Sequence, residues 1–276
     1  MSDGSHRHAH CLNCGAELGG RYCARCGQKD SHLATSLREL LYEASRDFLD
    51  WDGRVVGTLR VLLSKPGELT AEFLRGRRAS YLAPLRLYLI CSIAYFGLQP
   101  VVEWAAGSPA AGRGVSVVDP ETRAAIDSLP APALVREQLL RAAAEPAGFA
   151  HDVALSIPRA MFVLVPVFAL LTRLVYRKAE PNYLPHLYYA MHVFAATFAV
   201  QAVALLPALT RIPGIGLVSG LATLGYLCWY AVASLQRVYG GTARQAFWSA
   251  TIIGVGYLFA YVIAIAGVIA VSVLLV

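Results

Sequence analysis

Residues 247–276 read FWSATIIGVGYLFAYVIAIAGVIAVSVLLV, a run without a single Asp, Glu, Lys or Arg. Crossing the hydrocarbon core of a bilayer takes about 20 helical residues, so this run spans with tilt or with a protruding end. Four runs upstream are also long enough: 82–102 (LAPLRLYLICSIAYFGLQPVV), 157–176, 184–209 and 212–235. In lipid, backbone N–H and C=O groups must bond within their own segment, which makes each run a helix. The runs are continuous and lack the apolar/polar alternation of a β-barrel. The first begins near residue 82, far beyond an N-terminal signal peptide, and is expected to be a retained anchor. The expected fold is an all-α polytopic membrane protein with about five transmembrane helices.

Composition agrees. Of 276 residues, 57% are hydrophobic and 15% charged, with a mean hydropathy of +0.51, whereas a soluble domain carries about 25% charged residues. The polarity is also segregated: ten Asp and Glu lie in 1–84, seven in 103–156, and Glu180 alone in 157–276. That pattern excludes a soluble globular chain, a collagen-like chain and a largely disordered one.

The cationic residues give an orientation. Arg75, Arg77 and Arg78 precede the first run and Arg86 lies just inside it; Arg173, Arg177 and Lys178 follow the second; Arg237 and Arg244 separate the last two. The other side holds Arg211 and the 103–156 loop, where four Arg face seven acids. The positive-inside rule then places the N-terminus in the cytoplasm and the C-terminus outside. Arg75, Arg77, Arg78 and Arg86 are expected to contact lipid headgroups. The net charge of +6 and pI near 9.1 reflect this arrangement. Residues 11–30 carry only Arg21, Arg25 and Lys29 against Glu17 and Asp30, so no nucleic-acid partner is expected.

The sharpest motif is Cys11-Leu12-Asn13-Cys14, then Cys23-Ala24-Arg25-Cys26 after eight intervening residues. Two such pairs can wrap four thiolates around one tetrahedral Zn²⁺. Gly15 and Gly27 follow the second cysteine of each pair, where a tight turn aims amides at sulfur. Four thiolates leave no open coordination position, so the zinc is structural, and disulfides are disfavoured in a reducing cytoplasm. His6, His8 and His10 stand just upstream, either as a tail or as substitute ligands. The chain thus divides into a tail (1–10), a zinc ribbon (11–28), an amphipathic segment (32–80) and a transmembrane domain (82–276) with an outer loop at 103–156.

Within the amphipathic segment, 33–51 has helical apolar spacing, with a capping-box pattern at Ser36 and Glu39. A second stretch, 55–63, stops at Lys65-Pro66-Gly67, and Ser64 and Pro66 then read as the cap and first turn of a helix over 68–74. These helices either lie along the bilayer or pack on the bundle. Trp51 and the arginine cluster favour the surface.

Several of these residues together resemble a known family. Tyr22-Cys-x-x-Cys-Gly-Gln28 is followed by Thr58-Leu-Arg-x-Leu-Leu, Lys65-Pro-Gly and Phe73-Leu-Arg-Gly-Arg-Arg-x-x-Tyr-x-x-Pro84, with weaker agreement at Tyr188–His192 and Gln236–Gly240. The string is similar to bacterial membrane proteins of domain-of-unknown-function family 3667. That resemblance implies a zinc ribbon, several membrane helices and a bacterial inner-membrane location. It assigns no activity. Pro185 stands before His186 where the family pattern has an acidic residue.

Inside the spans, His192, with Tyr189, His186 and Arg173, forms a possible intramembrane polar site; a histidine bonded between helices is the alternative. Gly216-x-x-x-Gly220 is a small-residue face through which a homo-oligomer could form. No Gly-x-Ser-x-Gly, phosphate-binding loop or His-Glu-x-x-His occurs, and Glu68 with Glu72 reads as a solvated helix face. Three readings follow. The first is a non-enzymatic scaffold whose ribbon and surface helices bind a cytoplasmic protein or brace the bundle. The others are a small transporter or lipid/ion-handling protein working near His192, and a membrane enzyme acting on lipid headgroups.

Overall fold

The computed structural model describes residues 8–30, 53–106, 118–130 and 132–275; the helix expected over 33–51 and His6 lie outside them. The helices are α1 Arg54–Ser64, α2 Glu68–Leu74, α3 Pro84–Ala105, α4 Pro120–Asp127, α5 Ala133–Ala144, α6 Pro146–Tyr176, α7 Tyr183–Leu205, α8 Ile215–Tyr239 and α9 Ala243–Leu275, with a 3₁₀ turn at Leu206–Thr210. Among the described residues, five segments are long and apolar enough to cross a membrane: Pro84–Ala105, Ser156–Tyr176, Tyr183–Thr210, Ile215–Tyr239 and Ala243–Ala270. The chain is a multi-pass, helical membrane protein.

Local sequence sets the helix starts. Pro84, Pro120 and Pro146 each occupy a first-turn position, where the missing N–H costs nothing. Asp119 caps α4 by accepting a hydrogen bond from the Thr122 amide at 2.8 Å. The Thr122 hydroxyl, and after it this amide, hold the Asp119 carboxyl below its usual pKa. The second span, Ser156–Tyr176, agrees with the expected 157–176, but its helix begins earlier, at Pro146, and carries Pro158 and Pro166 in its interior. Much of the expected outer loop is therefore helix.

α7 is the central helix. From His186 to Phe198 it is buried around nearly its whole circumference. α3 lies along it, with Tyr88, Tyr95 and Phe96 placing their rings 5.9, 5.7 and 5.3 Å from that of Phe198. On another side Phe168 of α6 and Tyr257 of α9 meet Phe194, at 5.4 and 5.5 Å. α8 runs antiparallel to α7, and the far ends are tied where Arg211 Nη2 donates to Ala105 O and Ser219 Oγ donates to Ala204 O.

The α1–α2 pair corrects the surface reading for residues 54–74. Leu62, Leu69 and Phe73 are buried in the same cluster as Leu87, Leu187, Tyr188 and Met191, so the pair is built into the base of the bundle. The turn between them permits this. Gly67 has φ 77°, and a Cβ there would stand 2.8 Å from the Ser234 carbonyl oxygen of α8. Only glycine combines that conformation with that approach. Ser64 and Pro66 do not cap α2: Ser64 Oγ donates to Arg60 O at 2.6 Å, and the N-cap residue is Gly67.

Candidate metal centre and its seat on the bundle

The cysteine module is one turn used twice, twelve residues apart. In the first copy Gly15 N donates to Cys11 O and Cys11 N to Ala16 O; in the second Gly27 N donates to Cys23 O and Cys23 N to Gln28 O. Single bridges, His10 with Glu17 and Tyr22 with Lys29, close each loop. Gly15 and Gly27 take φ 74° and 72°, as the tight turns require. His8 does not point at the cysteines. Its Nδ1 lies 2.6 Å from the buried Asp30 carboxylate, joining the two ends of the module.

The two turns bring the sulfurs of Cys11, Cys14, Cys23 and Cys26 within 4.8 Å of one another. The cross-turn pairs Cys11–Cys26 and Cys14–Cys23 are each 3.5 Å apart. A tetrahedral ion with metal–sulfur bonds of about 2.3 Å needs sulfurs roughly 3.8 Å apart, so the cluster could hold a metal with little adjustment. The Cys26 amide pulls the Cys23 thiol down against the opposing effect of burial, aided by the Arg25 amide and the neighbouring thiols, to about 6. A thiol near 6 is already mostly the thiolate a metal needs at neutral pH. The apolar filling is slight: Leu18 is buried in one small cluster with Cys11 and Cys23.

The module sits on the linker between α2 and α3. Gln28 Nε2 donates to Gly76 O at 2.8 Å, while Gln28 Oε1 accepts from the amides of Arg78 and Ala79, both at 3.0 Å. Ser80 Oγ donates to Asn13 Oδ1. Leu12 lies over Gly76, whose φ of 87° favours glycine and where a Cβ would push the Leu12 side-chain tip aside. Behind the linker, Glu72 is buried rather than solvated; it accepts from Arg75 Nη1 at 2.9 Å and Arg77 Nη1 at 3.0 Å. Burial alone would raise the Glu72 pKa, but the two arginines outweigh it and hold the carboxyl below its usual value. Arg78 covers the Phe73 ring at 5.5 Å, and Arg86, expected at the headgroups, is buried. Sequence reasoning missed the roles of Gln28 and Glu72. The signal for Gln28 was its register, two residues beyond Cys26.

The structure splits the expected intramembrane site. His192 Nδ1 lies 2.9 Å from Thr70 Oγ1 of α2, beside the Phe73 ring. His186 bonds elsewhere: its Nε2 meets Glu180 O at 3.0 Å and its Nδ1 meets Tyr239 Oη at 2.7 Å. Tyr189 Oη shares a hydrogen bond with Ser234 Oγ at 2.8 Å, and Arg173 Nε donates to Pro181 O at the helix end. Tyr189 and His186 both touch Tyr239, whereas His192 stands apart with α2. Each of these bonds ties α7 or a loop to another element, the interhelical role open to such residues.

A family model described as a protein of unknown function (DUF3667) matches residues 52–96. That stretch is α1, α2, the linker that carries the cysteine module, and the first half of α3. No curated protein and no solved structure matches the chain.

Proposed function

We propose that the chain is a non-enzymatic scaffold of the bacterial inner membrane, in which a zinc-loaded cysteine module braces the base of the bundle from the cytoplasmic side. The observation that carries this is the Gln28 amide, which spends its oxygen and nitrogen on three backbone groups of residues 76–79. Metal binding thereby becomes order in the linker, and the linker fixes how α2 enters between α7 and α8. Zinc suits four thiolates in a reducing compartment, and it leaves no vacant position for chemistry. The arginines on this side fit the positive-inside rule. The outer face of the module, with Tyr22 exposed, is where a cytoplasmic protein partner would meet the brace.

The test is metal removal. Purified protein should hold about one zinc per chain. Chelation, or Cys14→Ser, should expose the 75–80 linker to protease while the membrane helices keep their circular-dichroism signal. Gln28→Ala should retain zinc and still loosen the linker. Unchanged linker protection in the metal-free protein would sink the brace.

A further inference from the structure

A groove of about 520 Å³ lies between α7 and α8 and ends on α1. Its walls are mostly apolar: Val200, Val203 and Ala204 from α7, Pro207 from the 3₁₀ turn and Ala222 from α8, with the hydroxyls of Ser64, Ser219 and Thr223 among them. Tyr226 forms part of it, with its hydroxyl already spent on Leu63 O at 2.6 Å. No acidic side chain lines it. At the α1 end stands Arg60, whose guanidinium has no hydrogen bond or ion pair among the described residues. Lys65 belongs to the neighbouring turn, which Arg237 of α8 reaches at Pro66 O (2.7 Å) and Glu68 (3.5 Å).

The volume lies in the range of small-ligand sites, about 300–1,000 Å³. The walls belong to membrane-spanning helices, so what fills the groove must itself be apolar. The guanidinium of Arg60, exposed and without a partner among the described residues, offers at that end a planar fork that matches a phosphate. The cationic surplus on the adjoining turn disfavours a headgroup that carries its own positive charge.

We infer that this groove seats an anionic glycerophospholipid of the surrounding bilayer, with one acyl chain along α7 and α8 and the phosphate on Arg60. Arg60 selects the lipid by charge, and the Val203–Ala222 walls hold the chain. The site is distinct from the metal centre and does not require it to be a brace.

The full chain reconstituted in phosphatidylcholine vesicles, with spin-labelled phosphatidylglycerol or spin-labelled phosphatidylcholine as probe, tests this. One cation near a membrane surface is worth about 1 kcal/mol, or roughly five-fold in binding. The wild type should therefore immobilise phosphatidylglycerol about five-fold more strongly than phosphatidylcholine. Arg60→Gln should abolish that preference while still immobilising chains, and Arg60→Lys should restore part of it. Ala222→Trp should fill the groove and remove the strongly immobilised fraction of both probes; Ala222→Leu does the same more mildly if the tryptophan variant fails to fold. Equal immobilisation of the two probes by wild type, or an unchanged preference in Arg60→Gln, overturns the assignment of Arg60. Chains still held after the groove is filled, or a cross-linked dimer lost on filling it, show that another surface or a second copy occupies the place.

Discussion

α7 and α8 meet at two ends, and the two meetings differ. Near the cysteine module, Tyr189 bonds Ser234, His186 bonds Tyr239, and α2 is wedged alongside with Gly67 against Ser234 and Thr70 on His192. At the far end Ser219 bonds Ala204, Gly216 and Gly220 have nothing within 4 Å, and Leu217, Val218, Leu221 and Leu224 are exposed. Both ends are apolar in sequence. Lipid supplies no hydrophobic drive between helices, so contact persists only where backbones approach closely or polar groups pair. The wedge provides both at one end. The far end has no wedge, and beside its Ser219–Ala204 bond the groove opens.

Removing the wedge's largest side chain should do most to erase the difference. Phe73 is buried against Tyr188, ring to ring at 4.9 Å. Phe73→Ala should destabilise the chain by about 3–5 kcal/mol, read as an earlier thermal transition in detergent. Next is Gly67→Ala, which combines an unfavourable φ with a clash against α8; roughly 2–4 kcal/mol is expected. Gly216→Ala is its control at the open end, where the added methyl meets nothing and helix propensity gains about 0.5–1 kcal/mol. If Gly216→Ala costs as much as Gly67→Ala, the far end is packed in the native assembly and the contrast collapses.

The sequence made one of these ends legible and not the other. Five apolar runs, the twelve-residue repeat of Cys-x-x-Cys-Gly, and the stops at Lys65-Pro66-Gly67 and Gly76 announce themselves locally, because spacing and turn chemistry are local signals. The seat of α1 and α2 does not. Leu62, Leu69 and Phe73 would be equally apolar on a bilayer surface or inside a bundle, and only the partner of Gly67 decides between them. His192 has the same difficulty: a lone histidine in an apolar helix says that it has a partner, but Thr70 is 122 residues away. Glu72 reads as solvated because Arg77 folds back over it, beside the local partner Arg75, only after the linker has turned at Gly76.

Thr70→Val probes that long-range bond on a smaller scale. It removes the hydroxyl that meets His192 and keeps the shape, so it should cost about 1 kcal/mol, the usual size of an interhelical hydrogen bond in a membrane. Thr197→Val is the matching control, since Thr197 Oγ1 donates to Val193 O of its own helix at 2.9 Å. A loss for Thr70→Val no larger than for Thr197→Val would show that burial of Phe73 alone seats α2.

The smallest effect expected is electrostatic, and it carries a sign. Glu72 titrates below its ordinary value of 4.5 in the folded chain, so its pairing with Arg75 and Arg77 is fully present above that value. It is lost as pH falls through the lowered folded value. Both arginines are more than half exposed, and solvent screening limits the pair to about 1 kcal/mol or less. Glu72→Gln should therefore be slightly less stable than wild type at pH 6, with the gap closing below pH 4.5. Comparing the two proteins at each pH cancels acid release of the metal, because both keep the same four cysteines. A gap that stays constant into acid would mean that Glu72 acts through packing, and that the linker is held by Gln28 without help from charge.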